Sequence, residues 1–134
     1  MRVELIAFTA RGNALAERLA AELTGAGCPA ACTREGLRVE EWAARAFGRS
    51  EALVFVGAAG IAVRAIAPCL RHKSTDPAVV VVDEAGRYAV PILSGHLGGA
   101  NDLARRIAGL TGAEAVLTTA TDVNGVFAAD QWAR

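Results

Sequence analysis

The chain is predicted to fold as an α/β domain: an open, mostly parallel three-layer sheet flanked by helices, with one antiparallel hairpin. Three observations carry the prediction. Short apolar runs of strand length alternate with stretches whose apolar residues recur at helical spacing, which is the order of βαβ units. The runs Leu53-Val54-Phe55-Val56 and Val79-Val80-Val81-Val82 are continuously apolar, as strands covered on both faces are. Asp83-Glu84-Ala85-Gly86-Arg87 separates two such runs with turn-forming residues, so one pair of strands turns back on itself.

The elements follow in order. Residues 3–8 form a short strand. Leu15, Leu19 and Leu23 recur every fourth position and make the buried stripe of a helix over 13–23, with Glu17, Arg18 and Glu22 outward. Gly25 and Gly27 end that helix. Residues 30–33 are a weaker strand, and 39–47 a helix anchored by Trp42 and Phe47. The strand 53–56 leads to a helix around Ile61 and Ile66, stopped near Pro68. The strand 79–82 returns through the hairpin as 88–93, where Pro91 suggests a sheet edge or a strand end. A helix over 100–110 closes at Gly112, and residues 115–118 make the last strand. Residues 125–134 read as the first turns of a helix with no stop signal, so 1–134 is expected to be a single α/β domain that is a piece of something longer.

Composition narrows the class. Apolar residues make up 53% of the 134, enough for a proper core, and the formal net charge is zero. A neutral chain lacks the electrostatic footprint of a nucleic-acid or anionic-membrane binder, and no apolar run is long enough to span a bilayer. Cys28, Cys32 and Cys69 have neither disulfide nor zinc spacing, so they are expected to be idle thiols in a reducing, cytoplasmic protein. No protein-bound metal is expected.

Three strand-to-helix joints are unusually rich: Gly57-Ala58-Ala59-Gly60; the stretch from Ser94 through Gly95, His96, Gly98 and Gly99 to Asn101; and Thr118-Thr119-Ala120-Thr121-Asp122-Val123-Asn124-Gly125. Each offers backbone N–H groups at the start of a helix, which suits anionic ligands and carboxylates in particular. In open α/β sheets such joints gather at the carboxyl rim. Residues 57–60 and 118–125 share that rim if their strands are parallel. The joint at 94–101 joins them if strand 79–82 runs antiparallel with its hairpin at the opposite rim. The long connection 68–77 allows this and would bring Lys73, Ser74, Thr75 and Asp76 along. Plainer readings stand beside this one. Gly57 and Gly60 do not complete a dinucleotide fingerprint and can serve close helix–strand packing alone. Asp122 or Asn124 can be a helix N-cap, Asp102 a first-turn residue matched to the helix dipole, and Arg71-His72-Lys73 a solvated face. His96 stands out because imidazole titrates near neutrality and Ser94, Asn101 and Asp102 are close in sequence.

Four segments, in this order, resemble the amino-terminal part of the CbiG-type cobalt-precorrin-5A hydrolases of anaerobic cobalamin biosynthesis: 57–64, 73–87, 94–101 and 118–126. The likeness runs from about residue 50 to 134, and more loosely over 3–48. It implies hydrolytic opening of the lactone of cobalt-precorrin-5A, release of acetaldehyde and formation of cobalt-precorrin-5B. The cobalt then belongs to the substrate, and the protein needs no cofactor of its own. On this reading His96 is the candidate base for the attacking water, with Asp122 second, or else His96 is an axial ligand to the substrate's cobalt. The amides of Gly98 and Gly99 are candidate oxyanion donors. Gly57, Gly60, Thr75, Ser94, Asn101, Thr119 and Asn124 would contact substrate. Family members continue into a further region and a carboxy-terminal domain, so the partners implied are the cobalt-tetrapyrrole and that missing region or a separate subunit. The alternative is a corrinoid-binding module without catalysis of its own.

Overall fold

The computed structural model describes residues 1–33, 38–95 and 98–119. The elements are β1 (Val3–Ala7), α1 (Ala10–Gly25), β2 (Ala30–Thr33), α2 (Val39–Arg49), β3 (Ala52–Val56), α3 (Ala59–Ile66), β4 (Ala78–Val82), β5 (Tyr88–Leu93), α4 (Ala100–Thr111) and β6 (Glu114–Ala115). A 3-10 turn, Ala67–Cys69, follows α3 where Pro68 can no longer donate a helical hydrogen bond. The six-stranded sheet runs β2-β1-β3-β4-β5-β6. Only β4 and β5 pair antiparallel; the pairs β1–β2, β1–β3, β3–β4 and β5–β6 are parallel.

Local chemistry sets the element ends. Thr9 caps α1, its Oγ1 accepting from the Gly12 amide at 3.0 Å, so the helix starts three residues earlier than its leucine stripe suggests. Gly27 ends α1 at φ +89°, and the Cys28 amide donates to the Leu23 carbonyl at 2.8 Å. Gly112 closes α4 the same way, at φ +81°. Pro91 pairs with Val80 in the interior of β5, not at a strand end. It is tolerated because the register shifts between Val79 and Val80, and because β6 pairs only with Tyr88 and Ala89.

Strand alternation sorts the core into two layers. Val3, Leu5, Val54, Val56, Val80 and Val82 face α1 and α4. Ile6, Leu53, Phe55, Val79 and Val81 face α2 and α3. Both faces are dry, which is why β3 and β4 read as unbroken apolar runs. Trp42 of α2 is fully buried, stacks edge-on against Phe55 with centroids 5.3 Å apart, and donates its indole N–H to Thr33 Oγ1 at 2.8 Å. A large side chain buried like this contributes about 1.5–3 kcal/mol. A charged group lies inside the sheet: Glu4 of β1 is 4% exposed and accepts from Arg49 at 2.7 and 2.9 Å and from the Ser50 hydroxyl. The Arg49 hydrogen bonds hold its carboxyl below the usual carboxylate range, outweighing the opposite push of burial.

Strand direction corrects one expectation. β4 runs parallel to β3, not antiparallel, and it is β5 that reverses. The connection 68–77 therefore returns the chain to the rim where β1, β3 and β4 begin. The 83–87 hairpin lies at their carboxyl rim, and the end of β5 comes back to their amino rim. β6 is parallel to β5 and pairs with its first two residues, Tyr88 and Ala89, so the chain leaves β6 heading toward the amino rim.

A candidate functional site at the amino rim

The three glycine-rich joints do not converge. Gly57 and Gly60 follow β3 at the carboxyl rim, whereas Ser94, Gly98, Gly99, Asn101 and Thr119 gather at the amino rim. Five residues of β3 separate the rims, about 16 Å at roughly 3.3 Å per residue, with a packed core between. One ligand cannot rest on both.

The carboxyl rim is largely filled by the protein itself. Gly57 sits at φ +157°, and a Cβ there would stand 3.0 Å from Phe8 Cδ2, so this glycine serves close packing. The crevice where β1 and β3 diverge is the usual ligand position in open sheets. Here Thr9, the cap of α1, donates to Glu84 Oε2 of the hairpin at 2.6 Å. An internal carboxylate thus stands where an external anion would meet the start of α1. Asp83 is a turn residue, its Oδ1 accepting from the Arg87 and Tyr88 amides at 2.8 and 2.7 Å.

The amino rim is constructed differently. Asn101, 3% exposed in the first turn of α4, donates from Nδ2 to Thr119 Oγ1 at 3.1 Å, which joins the second and third motifs. Gly95 makes room for this pair, since a Cβ there would stand 3.0 Å from Asn101 Oδ1 and 3.1 Å from Thr119 Cγ2. Ser94 is the one non-glycine residue with positive φ, +60°, among the described residues. Its Oγ donates to the Asp76 carbonyl at 3.1 Å, so the connection 73–76 reaches the same place. Gly98 is packed so tightly that an added Cβ would lie 2.5 Å from Ser94 Cβ. The amides of Ala100 and Asn101 donate to the carbonyls of Ser94 and Gly95, both at 3.1 Å. Those two helix-start donors close the turn and do not face a ligand, contrary to the simplest reading of the motif.

Two clefts flank this turn. One, about 370 Å³, lies between Met1, Cys28, Gly99, Leu103 and Arg106. The other, about 340 Å³, is lined by Phe47, Pro68, Cys69, Arg71, Thr75 and Asp76. Both mix apolar walls with a few polar groups, as small-molecule sites do. Burial pushes the Cys69 thiol up, so it is not a ready nucleophile. The three cysteines are free thiols, and among the described residues no group of three acidic, histidine or cysteine side chains could hold a metal. His96, Asp122 and Asn124 lie outside the described residues. Sequence reading named Asp76 with the 73–76 connection but gave it no role in the site; its Asp-Pro position before a buried strand was the available signal.

The fold and its motifs have known counterparts. The family described as cobalamin synthesis G N-terminal matches residues 41–122. The cobalt-precorrin-5A hydrolase of Salmonella typhimurium is 48% identical over 96% of this chain, which spans 38% of that protein. The cobalt-precorrin-5A hydrolase of Priestia megaterium is 45% identical over 63% of this chain and 22% of its own length. A solved chain described as a cobalamin biosynthesis protein G homologue from Sulfolobus solfataricus superposes with TM-score 0.75 at 26% identity, covering 87% of this chain and 36% of that one.

Proposed function

Since the chain belongs to the cobalamin synthesis G N-terminal family, we propose that it is the amino-terminal domain of a cobalt-precorrin-5A hydrolase and that the amino rim receives the substrate. The observation that carries this reading is the Asn101–Thr119 hydrogen bond, which ties two of the four family-like segments together at one rim, with a third, 73–87, held there through Asp76.

The chemistry is opening of a lactone by water. Water adds to the lactone carbonyl and an oxyanion develops; its collapse breaks the acyl C–O bond to leave a carboxylate and an alcohol that takes up the proton, and cleavage of the C–C bond between the carbinol carbon and the macrocycle, whose electron pair stays on the macrocycle, then releases acetaldehyde. With Ala100 and Asn101 engaged in the turn, the amides of Gly98 and Gly99 are the assigned oxyanion donors. His96 is the assigned base and Asp122 the second choice; a general base contributes about 10²–10⁴-fold. Ser94, Thr75, Asn101, Thr119 and Asn124 orient the carboxylate-rich ring. Gly57 and Gly60 are left out of the site, being at the opposite rim. Cobalt arrives with the substrate, and no cofactor is assigned. Three free thiols support a cytoplasmic setting. No helix among the described residues is long and apolar enough to cross a membrane.

A second reading follows from coverage. The chain spans 38% of a curated relative's length, so it can hold the corrinoid while the remaining region completes the chemistry. Incubation with cobalt-precorrin-5A separates the two. Acetaldehyde release supports hydrolysis by this domain, and it should fall at least a hundredfold in His96→Ala. An absorbance shift without release supports the binding module. No shift at all overturns both.

A further inference from the structure

We propose that Asp76 is the positioning residue of the amino-rim site, fixing the 71–76 loop, Ser94 and the start of α4 as a single unit. The inference rests on the functional reading above only for what the unit binds. Asp76 is 9% exposed. Its two carboxylate oxygens each accept from the Arg71 amide at 3.1 Å, and Oδ1 also accepts from the His72 amide at 3.3 Å. Its own amide donates to the His72 carbonyl at 2.8 Å. One side chain therefore satisfies two backbone amides, those of Arg71 and His72, in the loop that carries Thr75.

The other side of the residue faces the second loop. The Asp76 carbonyl accepts the Ser94 hydroxyl, and Ser94 is held at φ +60°, a conformation a serine leaves readily unless its neighbours fix it. The Ser94 carbonyl in turn accepts the Ala100 amide at the start of α4. The connection thus runs from the loop through Asp76 and Ser94 to α4, and from there through Asn101 to Thr119. Asp76 and Thr75 also line the cleft beside Phe47 and Arg71, so the 71–76 loop forms one wall of that cleft. The Asp76 carboxylate has no solvent-facing task in this arrangement. It makes two loops present their polar groups at a fixed separation, and a rigid multi-carboxylate ring demands that.

The test uses the whole chain and two readouts. Amide exchange is the first. Asp76→Ala should speed exchange at Ala100 and Asn101 at least tenfold while leaving Leu5, in the middle of β1, unchanged. Absorbance titration with cobyrinic acid, a cobalt corrinoid with free carboxylates, is the second. Asp76→Ala and Ser94→Ala should each weaken binding about tenfold, and the double variant should be no worse than the worse single, because both cut one link. Asp76→Asn keeps Oδ1 as an acceptor and should lie between; it also serves if Asp76→Ala does not fold. Unchanged exchange in folded Asp76→Ala, or additive losses in the double variant, would overturn the proposal. If the unaltered chain does not bind cobyrinic acid, the functional reading fails instead, and exchange alone decides whether Asp76 joins the loops.

Discussion

Gly98 shows at the scale of one residue why a glycine stands beside Ser94. An added methyl would lie 2.5 Å from Ser94 Cβ and 3.0 Å from the Ser94 carbonyl oxygen, a backbone atom that cannot swing away. Gly98→Ala should therefore destabilise the chain by about 1–3 kcal/mol, the range of overpacking in a tight site. Urea unfolding would measure the loss, and corrinoid binding should disappear before stability does, because the clash is in the turn. Glu4 offers a second residue-scale prediction. Its carboxyl is held below the usual carboxylate range because Arg49 and Ser50 hydrogen-bond the charged form. A group depressed on folding adds stability above its unfolded pKa and loses it as pH falls through the folded value. Glu4→Gln should cost about 1–3 kcal/mol at pH 7. It should also flatten the stability profile below about pH 4.5, where the parent chain keeps losing stability; parallel profiles would exclude the assignment.

At the scale of elements, α4 matters most, because its two ends are controlled differently. Gly112 gives it an ordinary left-handed stop. Its start has no side-chain cap and depends on the carbonyls of Ser94, Gly95 and Gly99 for its first amides. The helix therefore begins where the turn tells it to, and the Asn101–Thr119 bond fastens it to the chain beyond β6. Asn101→Ala should remove about 1–2 kcal/mol, the value of a buried hydrogen bond with its desolvation. A double-mutant cycle with Thr119→Val should return a coupling of at least 0.5 kcal/mol. Zero coupling would mean that the two motifs are neighbours without being joined. The helix itself was legible in its periodicity and its closing glycine. Its cap was not, because a cap made of backbone carbonyls leaves no residue type to read.

At the scale of the molecule, strand direction decides what can be one site. With β4 parallel to β3 and β5 reversed, residues 57–60 and 94–101 stand at opposite rims. Gly60 supplies the test. It has φ in the ordinary range and nothing within 4 Å of an added Cβ. Gly60→Ala should raise stability by up to about 1 kcal/mol, as alanine does in a helix. It should leave binding of cobyrinic acid unchanged, whereas Ser94→Ala weakens it. A tenfold loss of binding in Gly60→Ala would return the carboxyl rim to the site.

The residues alone predict the elements, the two-sided burial of β3 and β4, and the segments that would carry function. Hydrophobic period, glycine stops and turn residues are local quantities, and a chain cannot hide them. It also marked Ser94, Gly98, Asn101 and Thr119 as belonging to something more than a turn. Strand direction became visible in the folded chain alone. Parallel and antiparallel neighbours use the same apolar residues, so nothing in Val79-Val80-Val81-Val82 says which way the strand points beside β3. That one choice separated Gly57 from Ser94, set Glu84 against Thr9, and made Asp76 the link between two loops. Pairing across a sheet is settled by contacts between residues far apart in the chain, and no local pattern records them.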